Sequence, residues 1–146
     1  MRFTMHTDFA LRTLMFLAVK PGQHTIDTIA DHYGISRNHL MKVAQRLVAE
    51  GFVTSTRGRG GGLQLARPAE TINLGAVVRA LEDVGGFVEC FDAATNQCRV
   101  TPACGLRGIL AGGVAAFMRH MDGYSLADLV PNPDRFRAAL NIPALQ

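Results

Sequence analysis

The residues of this chain best suited to chemistry are its three cysteines, which all fall within one stretch and are spaced Cys90-x7-Cys98-x5-Cys104. Clustered thiols fit disulfides, a zinc site, an iron-sulfur cluster or free redox-active thiols. An odd number leaves one thiol outside any internal disulfide scheme. Structural zinc favours two close Cys or Cys/His pairs, whereas these gaps are wide and no histidine lies between residues 40 and 119. Iron-sulfur clusters accept thiolates from irregular loops and tolerate a non-cysteine fourth ligand. Spacing alone leaves iron-sulfur, zinc and free thiols open.

A second group of residues could bind rather than react. Arg37, Asn38, His39, Lys42 and Arg46 share the polar face of one predicted helix, and Ser36 stands just before it. Such a face is either simply solvated or a nucleic-acid contact. The next segment favours contact. TSTRGRGGG places Arg57 and Arg59 among Gly58, Gly60, Gly61 and Gly62, so backbone and guanidinium groups can approach phosphates or enter a minor groove. The same glycines do not make a nucleotide-phosphate loop, because no Lys-Ser/Thr pair ends the run and no helix follows it. His6, His24, His32, His39 and His120 are scattered and suggest no catalytic constellation, so no enzyme is expected. Asp8, in the first turn of a predicted helix, is by itself an acid well placed against the helix dipole.

The 146-residue chain, 48% hydrophobic, can build one core or a small domain with an extension. A net charge of +3 permits nucleic-acid contact without requiring it. No apolar run is long enough to span a bilayer, and Asp8 and Arg12 interrupt any signal-peptide pattern. A cytoplasmic protein with reduced thiols is expected.

The elements that must position these groups are mostly helical. Residues 7–19 read as a helix with Leu11, Leu14, Met15 and Ala18 on one stripe, stopped by Pro21-Gly22. Thr25 caps a short helix to residue 33, with Ile26, Ile29 and Ala30 inward, and Gly34 breaks it. Ser36 is expected to cap the next, whose Leu40, Val43, Leu47 and Val48 face the core and which Gly51 ends. Together these make a helix-turn-helix. Phe52-Val53 and Leu63-Gln64-Leu65 flank the glycine-rich turn as a winged hairpin. Asn73 is expected to cap a helix over 74–83, packing Leu74, Val77, Val78 and Leu81 under the wing. The cysteine segment reads as a loop. Residues 105–121 keep Leu106, Ile109, Leu110, Val114, Phe117, Met118 and Met121 in helical phase despite Gly108, Gly112 and Gly113, so this helix must draw its stability from packing. A long apolar helix outside a small domain suggests a dimer interface. The expected organisation is a winged helix-turn-helix domain (1–84), a cysteine-containing loop (85–104), and a dimerisation helix with a C-terminal tail (105–146).

FTMHTDFALRTLMFLA, ISRNHLMKVAQRL, TRGRGGGLQLARP and ECFDAATNQCRVTPACGL together resemble the winged-helix iron-sulfur transcriptional repressors of the IscR/NsrR type, over about residues 1–130. The resemblance implies that Cys90, Cys98 and Cys104 hold an iron-sulfur cluster, 4Fe-4S in preference to 2Fe-2S. NsrR-like members take a fourth ligand from an aspartate in the partner's first helix, which matches Asp8. IscR-like members use a histidine three residues after the last cysteine, where this sequence has Arg107. The first cysteine gap is longer than in many relatives, though lengthening a loop costs little. The implied function is a homodimeric, nitric-oxide-sensing repressor on a roughly palindromic operator, read by Ser36, Arg37, Asn38, His39, Lys42, Arg57, Arg59 and Gly60. The alternative is a regulator with a 2Fe-2S cluster that senses redox or iron-sulfur status.

Overall fold

The computed structural model describes residues 3–58 and 60–143. Helix α1 (Met5–Val19) begins two residues earlier than its apolar pattern, because the Thr4 hydroxyl accepts a hydrogen bond from Thr7 N at 3.2 Å. It is the central element. Leu11, Met15 and Ala18 of the expected stripe are only half-buried. The deeper face carries Phe9, Ala10, Leu14, Phe16 and Leu17 with Thr7 and Thr13. The difference arises because α1 is enclosed from several sides, and Thr13 is tolerated inside because its hydroxyl donates to Phe9 O at 2.8 Å.

Helix α2 (Ile26–Tyr33) starts where the Thr25 hydroxyl accepts from Thr28 N at 3.1 Å. It stops at Gly34, whose φ of +62° favours glycine. Helix α3 (Arg37–Ala49) packs Leu40, Val43, Ala44 and Leu47 against α1 and α2. Two expectations fail here. Ser36 occupies the cap position but makes no side-chain capping bond, and Val48 lies 39% exposed at the edge of the buried face.

The wing is a hairpin of β1 (Val53–Thr56) and β2 (Gly62–Leu65), antiparallel, with Val53 opposite Leu65 and Thr56 opposite Gly62. The linker before α2 joins it: His24 and Leu63 exchange backbone bonds of 2.9 and 2.8 Å. A side chain at Gly62 would place Cβ 2.6 Å from His24 O, so this close approach requires glycine.

Helix α4 (Leu74–Leu81) is capped by Asn73, whose Oδ1 accepts from Ala76 N at 3.0 Å. It does not sit under the wing. Its main packing is against helix α5 (Leu106–Asp122), with further contact to α1, because the chain after α5 bonds back to the start of α4. Leu74 N donates to Tyr124 O at 3.0 Å, and Leu126 N donates to Ile72 O at 2.8 Å. Arg79 completes the joint with two bonds to the Asp122 carboxylate, 2.7 and 2.6 Å long. The tail then returns through helix α6 (Pro133–Ala139), so Leu126, Val130 and Ile142 enter the core and Arg137 donates to Val19 O at 3.0 Å. The described residues are mainly helical, with this one small sheet among them.

Candidate functional site: a nucleic-acid interface and a cysteine loop

The helix-turn-helix leaves one face of α3 open because its opposite face is spent on the core. Ser36, Arg37, Asn38, His39 and Lys42 are all exposed, as are Arg57 and Gly60 at the wing. Arg59 lies outside the described residues. The face is less uniform than its residue types suggest. Arg37 Nε pairs with Asp27 Oδ1 at 2.6 Å, and the His39 ring lies 6.1 Å from that of Phe9, drawing it towards α1. Arg46 is diverted from the polar face altogether. Its Nη2 donates to Ala80 O at 2.6 Å and pairs with Glu50 at 3.0 Å, tying α3 to α4.

Cys90 sits in a 3-10 turn, Glu89–Phe91, and is half-buried. Cys98 is exposed, and half-buried Cys104 closes a second 3-10 turn, Thr101–Ala103, just before α5. All three thiols are free. With few apolar residues, the loop is held by polar side chains acting on its own backbone. Asn96 Oδ1 accepts from Cys98 N at 3.0 Å, while Asn96 Nδ2 donates to Thr101 Oγ1 at 3.0 Å. Glu89 accepts from Gln97 N across the loop. Asp92 accepts from Ala94 N at 2.9 Å and from the Thr95 hydroxyl at 2.8 Å, and these bonds hold its carboxyl below the usual range. One loop thus carries the three cysteines, yet among the described residues no three His, Cys, Asp or Glu side chains converge as a metal site.

Asp8 is presented from the first turn of α1, with its side chain 43% exposed. Its Oδ2 pairs with Arg12 Nη2 at 2.8 Å. The turn that carries it is anchored by Glu82, a residue the sequence did not single out. Thr4 N donates to Glu82 Oε1 at 2.7 Å and the Thr4 hydroxyl to the same oxygen at 3.0 Å. Burial opposes the charge on Glu82, but these bonds and the Thr7 hydroxyl prevail, so its carboxyl is held below the ordinary range. Glu82 closes α4, immediately before Asp83 turns the chain towards the cysteine loop by accepting from Gly85 N and Gly86 N. The start of α1 and the base of the loop are therefore fastened to the same point.

A helix-turn-helix with a wing and an exposed basic first turn defines a winged-helix DNA-binding regulator. The chain belongs to the Rrf2 family of iron-dependent transcriptional regulators, which matches residues 3–132. It is 48% identical over 136 residues to the HTH-type transcriptional regulator NsrR of Bacillus subtilis (strain 168), covering 92% of this chain and 93% of that one. With the protein of the same description from Bacillus licheniformis it shares 42% identity over 143 residues, 97% of this chain and 100% of the other. Among solved structures, CymR, the global cysteine regulator of B. subtilis, is similar in fold at a TM-score of 0.70 and 22% identity, covering 90% of this chain and 97% of that one. T. potens IscR matches at 0.70 and 23%, covering 90% and 87%. The family resemblance read from the sequence is borne out, and the protein is a transcriptional regulator of the Rrf2/NsrR type. Among the described residues no helix is long and apolar enough to cross a membrane.

Proposed function

We propose that the protein is a homodimeric, sequence-specific repressor that senses nitric oxide through an iron-sulfur cluster. The ligands are Cys90, Cys98 and Cys104 of one chain and Asp8 of the partner subunit, and 4Fe-4S is favoured over 2Fe-2S. The observation that carries this reading is the disposition of the donors. Three free thiols occupy one side-chain-braced loop, and an exposed carboxylate paired with Arg12 stands on the first helix. Soft thiolates suit an iron-sulfur group, and a carboxylate is the harder, more readily displaced donor. When bound, the cluster supplies iron that a small diatomic ligand can reach.

Everything else belongs to the chain. Along α5 nothing lies within 4 Å of a Cβ built at Gly108, Gly112 or Gly113, Leu106 and Ile109 are 54% and 74% exposed, and only Met118 is buried. A glycine-rich helix left this bare needs a partner surface, and a second copy of α5 supplies one. In that dimer the cysteine loop, tied to Asp8 of the partner subunit, holds the partner's α1 and with it the adjacent α3. The two recognition helices are then fixed about one helical turn of DNA apart, roughly 34 Å, which demands a palindromic operator. A loop released from Asp8 no longer fixes that spacing, and the dimer populates geometries that fit the operator poorly. The proposed division of labour is DNA binding by residues 1–84, sensing by 85–104 and dimerisation by 105–146.

Anaerobic purification followed by iron and sulfide analysis, absorbance and native mass spectrometry, before and after nitric oxide, tests the reading. Four irons per chain, lost with operator affinity on nitric oxide, is the expected result. Two irons and a response to redox poise would instead establish the 2Fe-2S alternative, and purification without iron would refute both.

A further inference from the structure

Arg37 opens the recognition helix, yet it is already engaged. Its Nε lies 2.6 Å from Oδ1 of Asp27, which stands in the first turn of α2, and both side chains are 60% exposed. The first turn of α3 contains no acid of its own, so the negative charge beside Arg37 is delivered by another helix. Asp27 and Arg37 line an open groove with Thr25 of the linker and Ser55, Thr56 and Gly61 of the wing. The pair therefore sits at the corner where helix-turn-helix and wing meet.

A carboxylate is an expensive neighbour for a phosphate-binding surface. Affinity for arbitrary DNA comes almost wholly from cations that displace condensed counterions. An arginine already neutralised by a carboxylate contributes less to that process, because a phosphate must first displace Asp27 or accept its repulsion. The chain carries a formal net charge of only +3, 15 cations against 12 acids, so removing one carboxylate at the interface, which raises it to +4, is a substantial change. Binding to a preferred sequence has a second source of free energy in base-edge contacts along the first turn of α3, and that source does not require Arg37 to leave Asp27.

We propose that Asp27 is a specificity-determining residue: paired with Arg37, it suppresses phosphate-driven binding to arbitrary DNA, while a preferred sequence is bound through base contacts with the pair left intact. This rests on the DNA-binding reading above and adds to it a residue off the recognition helix.

The test uses full-length protein and two labelled duplexes, one enriched by this protein from a randomised pool and one a scramble of equal length and composition. Asp27→Asn keeps shape and polarity at an exposed site, and circular dichroism checks the fold. Expected are roughly threefold or tighter binding to the scramble and a change of less than about twofold on the enriched duplex. The salt slope on the scramble should steepen by about one unit. In an Arg37→Gln background, Asp27→Asn should leave the slope unchanged. Unaltered discrimination and slope would overturn the proposal, reducing the pair to a solvated surface contact. A slope that steepens equally with and without Arg37 would also overturn it, as a general charge effect. If no duplex is enriched at all, the DNA-binding reading itself fails and this proposal with it.

Discussion

Asp8→Ala separates the structural work of this carboxylate from the ligand role proposed for it. In the single chain Asp8 does two modest things. It pairs with Arg12 across one turn at 2.8 Å, with both side chains more than 40% exposed; such pairs contribute about 0.3–0.5 kcal/mol. It also places negative charge in the first turn of α1, which contributes about 0.3–1 kcal/mol. Removing both should cost roughly 0.6–1.5 kcal/mol, or a fall of about 2–6 °C in Tm for a chain of this size. The apo variant should therefore fold and dimerise. A ligand role predicts far more than this: altered visible absorbance, faster loss of iron in air and a shifted nitric oxide titration, with Asp8→Cys shifting the titration again as thiolate replaces carboxylate. Iron content, absorbance and operator affinity, measured anaerobically on both variants, decide the matter. If Asp8→Ala shows only the small fall in Tm, with wild-type spectrum, titration and operator affinity, Asp8 is a helix-stabilising acid and the fourth ligand lies elsewhere.

Gly75 lies where α4 meets the end of α5, and an added Cβ would stand 1.9 Å from Asp122 Oδ1 and 3.0 Å from Arg79 Nη1. Gly→Ala inside a helix ordinarily stabilises by about 1 kcal/mol; here the added methyl meets the ends of two exposed side chains, so Gly75→Ala should displace the Asp122–Arg79 pair and lose most of that gain, and urea unfolding of the double variant with Asp122→Ala should restore it. Arg57→Ala should lower the salt slope of DNA binding by about one unit while leaving Tm unchanged, since its side chain stands exposed on the wing; an unchanged slope would remove the wing from the interface. The Asp122 carboxyl is held below its usual range by the hydrogen bonds from Arg79, and Asp128 by those from the Ser125 backbone and hydroxyl. Lowered carboxyl values stabilise the fold above the ordinary carboxylate pKa of about 4, and that contribution is lost as pH falls through the depressed values. Urea midpoints should thus be flat from about pH 7 to 5 and fall below about pH 4; a midpoint that rises on acidification would contradict the assigned contacts.

What could be read from the sequence was what depends on near neighbours. Thr25, Gly34 and Asn73 mark helix ends because each acts within four residues of itself, through a hydroxyl, a left-handed turn or an amide oxygen. The helical spacing of Leu40, Val43 and Leu47 likewise marked α3, and the glycine-rich turn between two short apolar runs marked the hairpin. Errors came where the decisive partner is distant in the chain. Helix α4 was expected beneath the wing because its apolar face needs a cover, but periodicity does not say which cover. The answer lies in Asn73 and Leu74 meeting residues 122–124, about fifty positions away. Arg46 and Arg37 look alike as exposed cations at helical spacing, yet one ties α3 to α4 and the other is held by Asp27.

The cysteine loop divides along the same line. Its chemistry is conspicuous because thiols are scarce in this chain and three are crowded into fifteen positions. Its geometry is not, because nothing periodic organises it. Cys98 is placed by Asn96 and Asn96 by Thr101, while Glu89 reaches across to Gln97; short polar side chains can satisfy backbone groups in many ways, and only the folded chain selects one. The same holds for the link from the loop to α1. Glu82 would be an ordinary end-of-helix acid were it not for Thr4, seventy-eight residues earlier, whose N–H and hydroxyl both donate to it. That contact joins the residue that starts the first helix to the residue that precedes the loop. Any force on the loop is therefore felt within one turn of Asp8 of the same chain.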